Sequence, residues 1–351
     1  MQKILSWIVL FSLIFFQSLT AQEAGWCGFS PSPDDIAERV LLQKEIEAFM
    51  AAEKNGAQDR SLIAIPVKAH VFRRDDGTWD ADSARIVLSL EKVNEWFAQS
   101  NVGISLYLCG NINYINNTRL YERLEVGNVS YGSGNYWISK IRVPYALNMI
   151  VARGFSGDGL VRPGFASLVN TDLRGNFCIA DTAMRPAYRI LAHEVAHTLG
   201  LYHTFGTTNF CWYTTNELAD GSNCKYTGDF ICDTKATPCL GYAGLVDANC
   251  KYTGKTDSAF DPPILDANGQ PFKPDVSNIM SYAPNACIST FTPEQGAVMR
   301  FYAKKYFDFS GNYCGPLSDY CAAKGENTDY GFHPFCRHPA RRAHRSSVPS
   351  R

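Results

Sequence analysis

The stretch formed by residues 193–203 constrains this chain more than any other part of the sequence. It reads His-Glu-x-x-His-x-x-Gly-x-x-His. Two imidazoles four residues apart lie on one face of a helix, so His193 and His197 can reach the same metal ion. Gly200 can adopt the left-handed conformation that ends a helix, and the turn that follows can return His203 to the same point. The stretch therefore predicts a helix that ends inside the motif, with a metal site beside it.

The residue types in this stretch indicate which metal and which chemistry. Three imidazoles and one open coordination position are the donor set of a catalytic zinc ion. Glu194 lies between the first two ligands and can take a proton from water at the open position. The alternative is a helix with three unrelated histidines, and chance odds of about one in 10^5 argue against it. We therefore predict zinc on His193, His197 and His203, with Glu194 as the general base.

The amino-terminal residues have the layout of a secretory signal. Lys3 precedes an apolar run over residues 4–16, and small residues follow as far as Ala21. The run is too short to span a bilayer comfortably, which disfavours the alternative of a membrane anchor. The chain also has 12 cysteines, which fit an oxidising compartment. We expect residues 1–21 to be removed and the protein to be secreted.

Three further segments are predicted. Residues 22–60 form a pro-segment in which a helical pattern opens at Pro33 and decays into a polar linker, with a candidate cleavage point after Arg60. Residues 61–309 form the catalytic domain. Residues 310–351 form a C-terminal segment whose basic end lacks a core pattern, as expected of a partly disordered tail or a truncated module. The net charge of −1 does not favour nucleic acid as a partner.

The apolar pattern of the central segment predicts a fold of the α/β (α+β) class. Strands are expected at residues 63–72, 103–109, 146–152, 164–169 and 177–180, and helices at 80–100, at the motif with Pro186 in its first turn, and at 292–307. This order predicts a mixed sheet with the motif helix packed beneath it. Residues 204–278 have little periodicity, so disulfides or a bound cation must order them.

Several motifs resemble those of the metzincin metalloproteases, and more narrowly the pappalysin-like family. Besides the histidine motif, they are residues 203–205, 228–234, 278–282, and Cys287 followed by residues 291–295. The resemblance covers about residues 27–308. It implies a two-subdomain zinc protease with a mixed sheet, an active-site helix and an irregular, disulfide-bonded lower subdomain.

The resemblance also implies roles for individual residues. Met280 would form a hydrophobic floor beneath the zinc, and Tyr282 would stabilise the charged tetrahedral intermediate. A packed core methionine and a packed tyrosine are the alternatives. Asp229 and Asp233 lie in the region that binds calcium in the family, although aspartates in loops also serve simply to form turns.

The disulfide pairs are inferred by analogy. The resemblance implies the pairs Cys232–Cys287 and Cys224–Cys250, and an extra pair, Cys211–Cys239, that would bridge the long stretch over residues 209–224. Connectivity among six cysteines cannot be fixed from sequence alone. One departure from the family pattern is Lys235, which stands where a proline is usual.

Cys27 lies in the pro-segment and has two interpretations. Its thiolate could be a fourth zinc ligand that keeps the precursor latent, since thiolate binds zinc strongly and Gly28 would allow a close approach. The alternative, which the oxidising compartment favours, is a disulfide to one of the cysteines 109, 178, 314, 321 or 336.

We therefore expect a secreted, monomeric zinc endopeptidase that acts on protein or peptide substrates, without nucleic acid and without stable membrane insertion. The substrate backbone would add as a strand to the edge near residues 164–169. The rival hypothesis is a catalytically silent binding or adhesion protein that keeps zinc as a brace, which the intact Glu194 disfavours. An amidase or esterase with the same zinc chemistry is a third candidate.

Overall fold

A computed structural model of the protein describes residues 27–29, 31–56, 61–126, 134–143, 146–156, 161–167, 175–184, 189–207, 215–256 and 263–306. The predicted signal, the C-terminal segment, Pro186 and Cys211 lie outside these ranges. The described helices are α1 (Pro33–Lys54), α2 (Ser83–Gln99), α3 (Thr118–Glu122), α4 (Gly134–Ile141), α5 (Ile190–Thr198) and α6 (Pro293–Tyr306). The described strands are β1 (Ile63–Arg73), β2 (Ile104–Leu108), β3 (Asn113–Asn116), β4 (Leu124–Glu125), β5 (Leu147–Ala152), β6 (Phe155–Ser156), β7 (Val161–Arg162), β8 (Gly164–Ala166) and β9 (Asn176–Ala180).

The main sheet has six described strands. Its order is β2-β1-β5-β9-β8, with β3 paired to the far end of β1. All of these pairs are parallel except β8 with β9, which is antiparallel. The central strand β5 is buried along its whole length, as expected when helices and loops cover both faces of a parallel sheet. The predicted α/β class with a mixed sheet is thus confirmed, and β8 lies at its edge.

Helices pack on this sheet through the apolar stripes that the sequence shows. In α2 the predicted stripe is buried, namely Ile86, Leu90, Val93 and Phe97. The N-terminus of α2 is capped by the Asp82 carboxylate, which accepts a hydrogen bond from the Arg85 amide. Every residue of α5 is buried, because this helix packs beneath β8 and β9. The motif helix is therefore held from all sides, which fixes the side chains that it carries.

Helix α1 precedes the sheet in the chain and packs against α6. Its start is a capping box in which the Ser32 hydroxyl and the Asp35 carboxylate each accept a hydrogen bond from the other residue's backbone. Leu42 and Ile46 are buried in the main core. Among the described residues no helix is both long enough and apolar enough to span a bilayer.

The described part of residues 204–278 is largely irregular, as predicted. Two disulfides with both cysteines among the described residues cross-link it and the turn that follows. The bonds join Cys224 to Cys232 and Cys250 to Cys287, with Cα–Cα distances of 5.2 and 5.4 Å. The predicted pairs Cys232–Cys287 and Cys224–Cys250 are therefore wrong.

Local turns explain the observed pairing. Gly228 and Phe230 both have positive φ angles, of 64° and 62°, and fold the chain back so that cysteines eight residues apart meet. Cys250 and Cys287 each end a tight turn of their own, in which the cysteine amide donates to the carbonyl three residues earlier. The pair Cys211–Cys239 stays a prediction, because Cys211 lies outside the described residues. Cys239 is disulfide-bonded.

Candidate metal centre

Three imidazoles converge at the end of α5. The Nε2 atom of His197 lies 3.0 Å from that of His193 and 3.0 Å from that of His203. All three side chains are buried. The helix sets the first two at the spacing of one turn, as the sequence predicts.

The turn after α5 brings in the third imidazole. Gly200 has φ of +90°, the left-handed conformation expected at this position. The Leu201 amide donates back to the Ala196 carbonyl, so the chain reverses within one turn of the helix. A side chain at position 200 would also collide with the ring of Tyr302. Glycine is thus required here both by the backbone angle and by the closeness of α6.

Hydrogen bonds at the other ring nitrogens set the tautomers. His193 Nδ1 lies 2.9 Å from the Ile279 carbonyl oxygen, and His197 Nδ1 lies 2.7 Å from that of Leu201. A carbonyl only accepts, so each Nδ1 carries the proton and each Nε2 presents a lone pair. Burial lowers the pKa of His193 to about 4 and lowers that of His197 well below its usual value, so both rings are neutral at pH 7.

This donor set fits a zinc ion. The Nε2 lone pairs of His193 and His197 face one another at 3.0 Å and repel unless a cation lies between them. Three imidazoles are a common catalytic zinc set. Together with the Cys27 sulfur, one ligand atom from each histidine lies within 4.8 Å of the others. The carbonyls of residues 279 and 201 supply the outer hydrogen bonds that orient ligand rings in such sites.

The Glu194 carboxylate lies beside this centre and against the edge strand. Glu194 is completely buried. A Cβ atom at Gly164 in β8 would stand 2.9 Å from the carboxyl carbon of Glu194, far inside normal contact. The missing side chain at position 164 therefore makes room for the carboxylate. The sequence predicted only a strand edge in this part of the chain and no role for Gly164.

Residues before α1 cover the centre. Cys27 and Gly164 form a parallel bridge, and the Gly28 amide donates to the Gly164 carbonyl at 3.1 Å. The Cys27 thiol donates to Oε2 of Glu194 over 3.4 Å. Burial, reinforced by the nearby Glu194 carboxylate, raises the pKa of this thiol well above its usual value. Cys27 is free, so the predicted alternative, a disulfide to another cysteine, is wrong.

Phe29 is a second covering residue, which sequence analysis missed. Its ring stacks on that of His197 with centroids 3.9 Å apart and an angle of 15° between the planes, and it meets His203 edge-on at 5.9 Å. It is buried in a small cluster with Tyr202, Phe205 and Phe230, among others. The Cys-Gly-Phe order was visible in the sequence, but only the fold shows that it crosses the imidazoles.

The turn beneath the centre contains the other two predicted residues. Met280 is fully buried, its amide donates to the Asn278 side chain at 2.9 Å, and its carbonyl accepts from the Thr204 amide. Tyr282 is also buried, with its ring 4.6 Å from that of His203 and 5.7 Å from that of His193. Its hydroxyl donates to the Cys27 carbonyl at 3.3 Å. Tyr282 thus lies close to the imidazoles and against the covering segment.

The two aspartates considered for calcium have different surroundings. Both oxygens of Asp233 accept hydrogen bonds at the start of α6, from the Thr292 hydroxyl at 2.6 Å and the Glu294 amide at 2.8 Å. Asp229 is buried and uses Oδ1 for the Ile231 amide and the Thr234 hydroxyl.

Glu217, which sequence analysis also missed, stands near Asp229. Both of its carboxylate oxygens, and Oδ2 of Asp229, are buried without a hydrogen-bond partner among the described residues. Burial raises the pKa of Glu217 to about 8 and that of Asp229 to about 7. Gly228 lets the Glu217 carboxylate approach the backbone, because a Cβ there would collide with it. Three buried carboxylate oxygens without a donor among the described residues are a costly arrangement that a cation would relieve.

Comparisons with known proteins give two relatives by sequence. An extracellular metalloprotease of Pyricularia oryzae is 25% identical over 285 residues, which are 78% of this chain and 86% of that protein. Pappalysin-1 of Homo sapiens is 31% identical over 115 residues, which are 32% of this chain but 6% of that much longer protein. No family model matches the chain.

Solved structures give a further comparison. Mature mirolysin of Tannerella forsythia in complex with a cleaved peptide has a TM-score of 0.46 and 20% identity, over 73% of this chain and 99% of that one. Mirolysin in complex with compound 9 has a TM-score of 0.47 and 19% identity, over 73% and 100% of the two chains.

Proposed function

We propose that this chain is a metalloendopeptidase of the pappalysin-like metzincin type, as its similarity to two metalloprotease relatives supports, and that it is a secreted zinc enzyme made as a latent precursor. The observation that carries the proposal is the convergence of three buried imidazoles beside the buried carboxylate of Glu194. Secretion is supported by the signal-like amino terminus and by the extracellular relative.

His193, His197 and His203 would hold the zinc ion through their Nε2 atoms. Zinc bound there supplies Lewis acidity, which activates a water molecule and polarises the peptide carbonyl. The protein's own contribution is rigidity, because the Ile279 and Leu201 carbonyls fix the rings of the first two ligands.

Glu194 would act as the proton carrier. Its carboxylate takes a proton from the attacking water as the water oxygen bonds to the scissile carbonyl carbon. The same carboxyl then gives that proton to the amide nitrogen, so the carbon–nitrogen bond breaks and a neutral amine leaves. The close contact with Gly164 holds the carboxylate at the edge of the sheet, where a bound peptide would run.

Tyr282 would assist at the carbonyl oxygen. Its hydroxyl now donates to the Cys27 backbone carbonyl. A substrate in the place of residues 27–29 would present its own carbonyl to that hydroxyl, which could stabilise the developing negative charge. Met280 would serve as the packed floor of the turn that carries Tyr282.

Substrates would be proteins or peptides in extended form. Strand β8 is an edge strand, and residues 27–28 already pair with it through the Gly28 amide. Pairing with an edge strand recognises backbone rather than particular side chains. This geometry favours a peptide over the small substrates of an amidase or esterase.

Latency would come from the same segment. Cys27 supplies a sulfur atom within the cluster of histidine nitrogens, and its thiol donates to the Glu194 carboxylate. A thiolate at the fourth zinc position would exclude water, and Phe29 covers the imidazoles beside it. The leader, residues 22–60, would therefore block metal, base and substrate edge together.

A calcium ion is the second metal in the proposal, and Glu217 with Asp229 would bind it. Calcium prefers carboxylate and carbonyl oxygens in irregular loops. The unpartnered oxygens of these two residues support this position. Asp233, with both oxygens engaged by α6, is better explained as a helix cap.

One experiment tests the function. Protein freed of its leader is incubated with an unstructured protein substrate, with and without a zinc chelator, beside the Glu194→Gln variant. Cleavage that needs both zinc and Glu194 is expected. Zinc binding without cleavage of any protein or peptide would support the rival hypothesis of a silent binding protein.

A further inference from the structure

Helix α1 contacts the rest of the protein along its whole length. Near its start the Tyr202 hydroxyl donates to the Asp35 carbonyl, and near its end Glu53 pairs with Arg300 of α6. We use the term α1 site for the residues that meet this helix. They are Tyr202, Phe230, Arg300, Phe301 and Tyr306.

The strongest polar contact in the α1 site is the ion pair of Glu53 with Arg300. Their side chains are only 1% and 7% exposed. Arg300 donates through Nε to one carboxylate oxygen at 2.7 Å and through Nη2 to the other, so the pair is bidentate. The remaining Nη1 donates to the Val102 carbonyl. Arg300 is thus held in one position, ready for a carboxylate from α1.

Because it is buried, Arg300 requires an acidic side chain from α1 as its partner. Removing one member leaves a buried charge without a counter-charge, which strongly weakens the association. Two other ion pairs of α1, Glu45 with Lys305 and Glu47 with Lys225, are exposed and contribute little. Docking therefore depends on an acidic residue at position 53 far more than on the other charges of the helix.

Apolar contacts accompany this pair. Leu42 and Ile46 lie in the main core, and the Phe49 ring meets the Phe301 ring edge-on at 5.7 Å. Arg39 is buried near the other end and donates to the Phe230 carbonyl. All of these contacts lie before residue 57, whereas the predicted activating cut follows Arg60. The cut therefore removes none of the described contacts of the leader.

We propose that the α1 site is a docking surface that keeps the severed leader bound as a noncovalent inhibitor. This inference rests on the proposed function, since it takes residues 22–60 as the leader. Activation then requires two events, cutting of the linker and dissociation of α1. Cys27 and Phe29 stay over the centre for as long as α1 stays docked, because only residues 30–32 separate them from the helix.

A binding assay tests the proposal without any need for catalysis. In the Glu194→Gln background, residues 57–60 are replaced by the recognition sequence of a site-specific protease, and the folded full chain is cut there. Gel filtration and native mass spectrometry then follow the leader fragment. We expect it to co-elute with the rest of the chain, whereas prompt separation at micromolar concentration would overturn the proposal.

Matched variants test the role of the buried pair. Glu53→Gln should speed dissociation of the cut fragment at least about tenfold, and Glu45→Gln, which alters an exposed pair on the same helix, should change it less than about twofold. Melting of the uncut variants checks that each one folds. Equal effects of the two substitutions would show that the buried pair does not determine docking.

Dilution separates this proposal from the proposed function. With Glu194 intact, the specific activity of cut protein should rise on dilution, while that of the uncut precursor should not. A fragment that stays bound to a protein without protease activity at any dilution would count against the proposed function alone. Full activity immediately after the cut, independent of concentration, would count against docking alone.

Discussion

At the scale of single residues, the position of Glu194 is set by what surrounds its carboxylate. The backbone of Gly164 lies against one side, and the Cys27 thiol donates to one of its oxygens. The residue is fully buried, so its carboxylate is held in place, as the proposed role of general base requires. Substitution of Glu194 should therefore lower turnover by removing the carboxylate, and substitution of Gly164 by displacing it.

Glu194→Gln removes the proton acceptor but keeps the size of the side chain. We expect kcat to fall by about 10^2 to 10^4, the usual contribution of a general base, with zinc content unchanged. His203→Ala is the contrasting variant, because it should lower zinc content, as measured by elemental analysis. If Glu194→Gln kept half of the wild-type rate, another residue would have to be the base.

Gly164→Ala tests whether the edge strand positions that base. The backbone of Gly164 has no positive φ that would penalise alanine, so the added methyl group acts only by displacing the Glu194 carboxylate. We expect kcat to fall at least about tenfold, since a shift of 1 Å at a reacting group can cost about 10^2 in rate. Zinc content and melting temperature serve as controls, and an unchanged kcat would contradict this role.

The residues of the centre differ in how far sequence could predict them. The motif that contains the three histidines, Glu194 and Gly200 is local, so helix geometry was enough to bring its imidazoles together. Phe29, Gly164 and Glu217 meet their partners only through tertiary contacts over long separations. No spacing rule links such residues, and so sequence analysis gave them no role.

At the scale of elements, the irregular region between α5 and α6 is ordered by short cross-links. The bond between Cys224 and Cys232 closes the loop that brings Asp229 near Glu217, and the bond between Cys250 and Cys287 ties this region to the turn after Met280. Strands and helices were predicted well because their periodicity is local. The two observed disulfides were not, because they depend on local turns, including positive φ angles at residues 228 and 230, that the sequence alone did not reveal.

Stability in this region should depend on pH and calcium through Glu217 and Asp229. Unfolded carboxyls ionise near pH 4, whereas burial raises these two pKa values to about 8 and about 7. Between those limits the folded protein binds more protons than the unfolded one, so without calcium the free energy of unfolding falls as pH rises. Calcium bound to the ionised pair should reverse this loss.

Thermal melting measures this effect. In calcium-free, zinc-containing buffer, the melting temperature should fall more steeply from pH 5 to pH 9 in the wild type than in Glu217→Gln. At pH 8, added calcium should raise the wild-type value by about 3 °C or more and leave the variant nearly unchanged. An equal response of both proteins to calcium would place the ion elsewhere.

At the scale of the whole molecule, the leader contacts the centre, the sheet edge and α6 at once. Cys27→Ala in the full-length chain removes the sulfur but leaves Phe29 stacked on His197 and α1 docked. We therefore expect measurable peptide hydrolysis without processing, at a rate about tenfold or more below that of the leader-free protein. Complete silence of this variant, with normal zinc content, would show that latency does not depend on the thiol.

The wide separation of the leader's contacts along the chain sets an order of events during synthesis. Glu53 and Arg300 are 247 residues apart, and Cys27 and Glu194 are 167 apart. The proposed leader is made before α6, so its docking surface is complete only when α6 has been made, and contacts so distant in sequence form slowly. The histidine motif also emerges before α6 and before the turn that orients His193. Ile279, whose carbonyl orients His193, and Tyr282, whose hydroxyl holds the Cys27 carbonyl, lie in the same turn. We therefore expect the imidazoles and their cover to become ordered together.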